Sequence, residues 1–300
     1  MTRLFSKAFY ASVFLVVMTV VMTAASGHWA EHSVTHMHTY TWTSDAVVGL
    51  SALEVDEGGA VFHAVGDRGW YLSGQFDRAE GAISGVALTD YLPILGIDGW
   101  PVSARRVGDL SDAEGLAIAP DNTMWISFER WARVVRYRGP EDGGTLVRPH
   151  PTFADYADNR QLEALALHPE GTLYAFAEAP LAQGFAVYRL QDDVWEIVGH
   201  VPRRNRYAIV GADFDAQGRL YLLERRHILG RWWQSRISGL DVQTPDIVTT
   251  LWTSRMGAFD NLEGIAAWQD GPATRLTVVS DNNGVKPGRT QFLGFQVNAP

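Results

Sequence analysis

Short runs of alternating apolar and polar residues, broken by turn residues, make up most of this chain, and one pattern recurs. Its clearest form runs from Ala113 to Ile126: Ala113-Glu114-Gly115-Leu116-Ala117-Ile118, a turn at Pro120-Asp121-Asn122, then Thr123-Met124-Trp125-Ile126. The pattern returns from Leu162 to Tyr174, from Val210 to Tyr221 and from Leu262 to Val279, and more faintly from Ser51 to Phe62. In each copy a turn residue falls eight positions after a marked residue: Ser51 to Gly59, Glu114 to Asn122, Glu163 to Gly171, Val210 to Gly218 and Glu263 to Gly271. Strand, Asn/Asp/Gly-type turn, strand is a hairpin. The turn residues supply the backbone freedom that such a connection needs.

The hairpins are spaced by 63, 49, 47 and 53 residues. Further strand-like runs follow four of them at 134–138, 185–190, 236–240 and 292–297, and no segment has sustained helical periodicity with caps. A repeat of about 40–50 residues built of strand pairs is the signature of propeller blades. The expected fold is therefore all-β: a single β-propeller of five blades, each a four-stranded antiparallel sheet. The strand near His38–Trp42 would close the ring against the C-terminal blade. The 63-residue gap leaves room for a sixth, degenerate hairpin around Gly81–Val107.

Composition narrows the class. The 300 residues carry a net charge of -9, without any Lys/Arg-rich block, which argues against nucleic acid binding by phosphate neutralisation. There are no cysteines, so disulfides and thiolate chemistry are excluded. The N-terminus has the form of a signal peptide over residues 1–26, with Arg3 and Lys7, an apolar run from Phe9 to Met22, and small residues at Thr23–Gly27. The propeller would then occupy residues 27–300, in the periplasm or secreted. An uncleaved N-terminal anchor is the alternative, and no later stretch is apolar enough to span a membrane.

The repeats place acids at two registers. Glu114, Glu163 and Glu263 open inner strands, where the other copies have Ser51 and Val210. Asp67, Glu129, Glu178, Glu224 and Asp281 follow the next strand in all five copies. In a hairpin, the start of one strand and the end of its partner share one edge of the sheet. Both sets should therefore gather at one mouth of the channel. Such acids must take up protons, pair with cations or bind metal. Arg68, Arg130, Arg225 and Arg226 stand beside second-register acids as candidate partners. Asp112 and Asn261 precede two of the marked glutamates.

Oxygen ligands without clustered Cys or His favour Ca2+, with Mg2+ or Mn2+ as alternatives. Candidate ligands are Glu114, Glu163, Glu263, Asp281 and Asn282, and candidate catalytic groups are Glu114, Glu263, Asp67, Arg68, Glu129 and Arg130. Four histidines (His28, His32, His36 and His38) crowd the start of the mature chain and would either bind a transition metal or sit on a terminus and edge strand. His63 and His227 stand near Asp67 and Glu224 in sequence, as conceivable acid–base partners. The Arg231–Trp233 cluster would line a ligand mouth or pack between blades. No G-x-S-x-G, H-E-x-x-H or P-loop motif is present.

The strings Asp112-Ala113-Glu114-Gly115-Leu116-Ala117, Asn261-Leu262-Glu263-Gly264-Ile265-Ala266 and Gly66-Asp67-Arg68-Gly69 resemble the phytase-like family, often labelled "esterase-like activity of phytase". Ser127-Phe128-Glu129-Arg130 fits its Glu after the second strand. More distantly the hairpins are similar to gluconolactonase-like and strictosidine-synthase-like propellers, in which Glu, Asn and Asp hold a channel metal. The resemblance covers roughly residues 45–297. It implies an exported propeller that hydrolyses phosphate or carboxylic esters of small molecules. Gly66 replaces the family's usual Ser, and Val210 interrupts the Glu series. The alternative is a non-catalytic propeller of the cell envelope that binds a ligand or protein partner.

Overall fold

The computed structural model describes residues 29, 31–104, 110–157 and 160–299. The expected signal peptide and His28 lie outside the described residues. Five four-stranded antiparallel sheets form the molecule, with the strands numbered in chain order. Strand β1 (Ser33–Ser44) is set aside for the last blade. The first blade comprises β2 (Leu50–Val55), β3 (Val61–Gly66), β4 (Trp70–Ala79) and β5 (Ala82–Pro93). The second comprises β6 (Ala113–Ile118), β7 (Met124–Phe128), β8 (Arg133–Tyr137) and β9 (Thr145–Leu146). The third comprises β10 (Leu162–Leu167), β11 (Leu173–Ala177), β12 (Phe185–Gln191) and β13 (Val194–Val201). The fourth comprises β14 (Ala208–Phe214), β15 (Leu220–Ile228), β16 (Trp232–Leu240) and β17 (Val248–Thr253). The fifth comprises β18 (Asn261–Asp270), β19 (Ala273–Asp281) and β20 (Gly288–Asn298), with β1 paired to β20 as its outer strand.

The blade number is thus five, and the ring closes through the strand that contains His38–Trp42. Among the described residues the long gap holds no sixth blade hairpin. Its extra length goes into a long β4–β5 hairpin turning at Glu80-Gly81, both at positive φ, and into the connection to β6.

The innermost strands β2, β6, β10, β14 and β18 contact one another in cyclic order around the axis. Their burial explains their composition. Every residue of β14 is buried, whereas β13, on the outside, buries only Trp195 and Val201. The core lies between neighbouring sheets rather than along the axis. Val210, Leu223 and Ile237 of the fourth blade, for example, pack with Leu262, Leu276 and Leu293 of the fifth.

One irregularity repeats in all five blades. The inner hairpin is continuous except near its start, where the register skips one residue: Ser51, Glu114, Glu163, Val210 and Glu263. These are the marked residues of the repeat. Each is the extra residue of a β-bulge, which leaves the ladder and re-aims its side chain. The residue that follows is always small, because the next inner strand passes close by. A Cβ on Gly211 would sit 2.5 Å from the carbonyl oxygen of Glu263, and one on Gly264 would sit 2.9 Å from the nitrogen of Leu53. The Glu-Gly/Ala phrase is therefore a packing rule and a side-chain aiming device in one.

Because backbone cannot give way as a flexible side chain would, Gly211→Ala should lower stability by about 1–3 kcal/mol. Denaturant unfolding should show this as a lower midpoint with an unchanged slope. Gly171→Ala is the control, since nothing lies near its Cβ position and only its positive φ is strained.

Candidate functional site

Bulged glutamates from the inner strands and acids from the ends of the second strands do share one end of the channel. The two registers are held together by the hairpin edge itself: the Glu129 amide donates to the Asp112 carbonyl at 2.9 Å, and the Asp67 amide to the Gly49 carbonyl at 3.0 Å. Below the mouth the inner strands leave an axial space of only about 10 Å³, lined by Ser51, Glu114, Glu163, Val210 and Glu263. That is on the order of one water, so a ligand has access to the acids from the mouth and not through the channel.

The structure divides these acids into three groups. The first is Asp112, Glu114 and Glu129, each of which offers a carboxylate oxygen within 4.8 Å of the others. Arg130 reaches Asp112 at 3.4 Å, and no ion pair reaches Glu114 or Glu129 among the described residues. Glu129 accepts from the Gln161 amide at 2.9 Å.

The second group surrounds Arg225. Its guanidinium donates to Glu263, to Asn261 at 2.6 Å and to Glu178 at 3.5 Å. Asn261 completes the arrangement by donating to Glu263 at 2.8 Å. Trp233 lies 5.2 Å from the guanidinium carbon and supports it. The third group is structural. Glu224 is locked between Arg204, at 2.9 Å, and Arg236 on the neighbouring strand. It occupies the same register as Glu129 but is fully committed.

Asp67 and Asp281 stand on the remaining side. Burial, aggravated by Asp281, pushes Asp67 up to about 7 against the pull of Arg68. Asp281 is raised by burial and accepts from the Asn283 amide at 2.8 Å. Asn282 accepts from the Gly49 amide and the Gly284 amide, both at 3.1 Å, so its side-chain oxygen is occupied by backbone. Arg68 is more than half exposed and only 3.9 Å from Asp67.

Protonation follows from this crowding. Burial raises Glu114 well above the ordinary carboxyl range, with Glu163, Glu263 and Asp112 adding repulsion. Glu163 rises for the same reason, and Glu129 rises less. Burial raises Glu263 to about 7 even with Arg225 beside it. Burial opposes the Arg225 charge, but Glu263, Glu163 and Glu178 outweigh it and hold the guanidinium above its ordinary value. Among the described residues, the mouth thus has more carboxyls than cations beside them.

The histidines do not join this site. His63 contacts the Tyr71 hydroxyl at 2.6 Å and lies opposite Glu54, well down the strand from Asp67. His227 accepts from the Gly230 amide at 3.1 Å, and Trp233 packs against its ring. His32, His36 and His38 separate onto Arg219, Thr39 and the Ile83 amide. Sequence reasoning named Asp112 only as a neighbour, although it stands two residues before Glu114. It missed a second acid pair: Glu54 and Asp213, on inner strands, both raised by burial, with Asp213 at about 7.

Solved structures similar to this chain are distant. An α-L-arabinofuranosidase from Podospora anserina in complex with cellotriose is 12% identical, covers 85% of this chain and 92% of its own, and has a TM-score of 0.48. A gluconolactonase from Xanthomonas campestris is 13% identical over 88% of this chain and 94% of its own, with a TM-score of 0.44. A virginiamycin B lyase from Staphylococcus aureus is 11% identical over 88% and 99%, with a TM-score of 0.42. These likenesses carry nothing about chemistry. No curated protein matches the chain. The phytase-like family, described as "Esterase-like activity of phytase", matches residues 45–284, and with its bulged glutamates and five-bladed ring this chain belongs to that family.

Proposed function

We propose that this protein hydrolyses ester or phosphoester bonds of small molecules at the acidic mouth of its channel, assisted by a divalent cation. The observation that carries the reading is the convergence of Asp112, Glu114 and Glu129. Two oxygens bound to one Ca2+ at 2.3–2.6 Å lie at most about 5 Å apart, so the trio fits such an ion, and all three donors are hard carboxylates. Mg2+ or Mn2+ are the alternatives. A cation held there would polarise an ester or phosphoryl oxygen and lower the pKa of a water.

The chain's own groups supply the rest. Glu163, on the next inner strand, has a carboxyl that burial raises well above its ordinary value, and it can pass a proton to a leaving oxygen. Arg130 and Arg68 stand at the rim, where a guanidinium can fork onto a phosphate or carboxylate. Arg225 fixes Glu263 in place rather than facing substrate with a free charge. The proposed export, from the signal-like first 26 residues, would place this chemistry in the periplasm or outside the cell. A non-catalytic, ligand- or protein-binding propeller is the second reading, favoured by the acids that arginine already neutralises, Glu224 above all.

Thermal melts after EDTA treatment test the cation site. Ca2+, Mg2+ or Mn2+ at a hundredfold excess over Kd should add about 2.7 kcal/mol, and Glu114→Gln should remove that gain. The same preparations, assayed with p-nitrophenyl acetate and p-nitrophenyl phosphate, should show cation-dependent hydrolysis that Glu114→Gln abolishes. No stabilisation by any of the three ions would sink the cation-assisted reading. Stabilisation without hydrolysis of either ester would leave the binding propeller in its place.

The raised carboxyls predict a pH signature in metal-free protein. A carboxyl whose folded pKa is raised binds its proton more tightly in the folded state. Its contribution to stability is full below the ordinary carboxyl value and is lost as pH rises through the folded value. Asp67 and Glu263, at about 7, put that loss between the ordinary carboxyl range and neutrality. Gln mimics the protonated acid. Glu114→Gln should therefore gain stability relative to wild type as pH rises above the ordinary carboxyl range. A pH-independent difference in melting temperature would contradict the raised value.

A further inference from the structure

The charge sign reverses beside the acidic mouth. A cavity of about 860 Å³ opens between the third and fourth blades and shares Glu178 and Arg225 with the mouth. Five arginines line it: Arg160, Arg203, Arg206, Arg225 and Arg226. Glu178 is the sole acid in its lining among the described residues. In a chain of net charge -9, this is an unusual concentration of positive charge.

The five are not equivalent. Arg160 and Arg225 are spent on Glu178 and Glu263. Arg226 is held by neutral groups, the Gln234 side chain at 2.8 Å and the Asn205 carbonyl at 3.4 Å, and its guanidinium lies 4.9 Å from the Tyr207 ring centre. Arg203 and Arg206 are exposed, and no carboxylate pairs with either among the described residues. Among the described residues, no carboxylate pairs with any of these three guanidinium groups on the concave wall.

Their placement is fixed by the residue between them. Arg204 turns inward and donates to Glu224 at 2.9 Å, Ser238 at 2.8 Å, Thr250 at 3.2 Å and the Val248 carbonyl at 3.3 Å. Asn205 and Arg206 then adopt positive φ, at 53° and 62°. A tight, partly buried anchor thus carries Arg203 and Arg206 on either side of it. Grouping like charges in a concave site raises free energy, which a multivalent anion would lower. Guanidinium forks match the oxygens of phosphate and carboxylate.

We propose that this cavity is a binding site for an oligoanionic small molecule, held through Arg203, Arg206 and Arg226 by its phosphate or carboxylate groups. The cavity stands on its own geometry. Only its role as the anion-holding end of a substrate rests on the hydrolase reading, since it adjoins the mouth through Arg225. A polyanion seated there would extend towards the acidic trio.

Titration calorimetry on protein freed of divalent cations tests the site, with pyrophosphate and citrate as probes of the two oxyanion types. The expected result is saturable binding of at least one probe that weakens with added salt. Arg203→Ala/Arg206→Ala should weaken it by roughly tenfold or more, as loss of charged hydrogen bonds implies. Both positions are exposed, and a melt should show the fold intact. Arg136→Ala/Arg138→Ala, which removes the same charge from the second blade, should leave binding unchanged. Pyrophosphate binding alone identifies a phosphate site, and citrate binding alone a carboxylate site. No binding of either probe, or equal losses in the two double variants, would overturn the proposal. Hydrolysis of the uncharged p-nitrophenyl acetate without anion binding would refute this site and leave the hydrolase reading standing. Anion binding without hydrolysis of any ester would do the reverse.

Discussion

Everything at the channel mouth depends on how closely five inner strands approach one axis. Their separation leaves room for nothing larger than alanine after the bulge, and at Gly211 and Gly264 not even for a Cβ. The bulge, in turn, takes one residue per blade out of the ladder. Packing therefore decides where a side chain must leave the sheet, and the chain uses three of the five places for glutamate. Val210 and Ser51 show that the bulge itself does not require an acid. The acids carry a cost of burial that the fold alone would not demand, which is the physical reason for assigning them chemistry.

Charge around the mouth is balanced by sector. Towards the fourth and fifth blades, Arg225 neutralises Glu263 and Glu178, and Arg204 with Arg236 neutralises Glu224. Towards the second blade, Asp112, Glu114 and Glu129 have Arg130 as their one ion-pair partner among the described residues. The acid-rich side and the arginine-lined cavity give the entrance two chemically different ends, which under the proposed reading would orient a substrate with a cation-seeking ester and a separate anionic group.

The ring was legible from the sequence because blades are local. Each hairpin is written within about fifteen residues, and its turn and small residues answer to backbone geometry that composition reveals. The site was legible only in outline. Glu129 and Glu224 share a register, yet one faces the acid cluster and the other is bound by Arg236, a partner set by the neighbouring strand and not by the repeat. Asp112 was visible as a neighbour of Glu114, but its convergence with Glu129 requires the hairpin edge to be closed. His63 seemed close to Asp67 because four residues separate them, but in an extended strand four residues span about 13 Å. The basic cavity was invisible, since Arg160, Arg203 and Arg226 come together only across two blades.

The closure of the ring has a consequence in time. Strand β1 leaves the first stretch of the described chain and pairs along its length with β20, the last strand. During synthesis β1 emerges first and must wait, with its edge unpaired, until the final residues appear. Tyr40 and Trp42, partly buried in the finished blade, stay open to water until then. Asp112, Glu114 and Glu129 share one hairpin and can assemble with their own blade, whereas Asp67 and Asp281, on the first and fifth blades, come to face each other only as the ring closes.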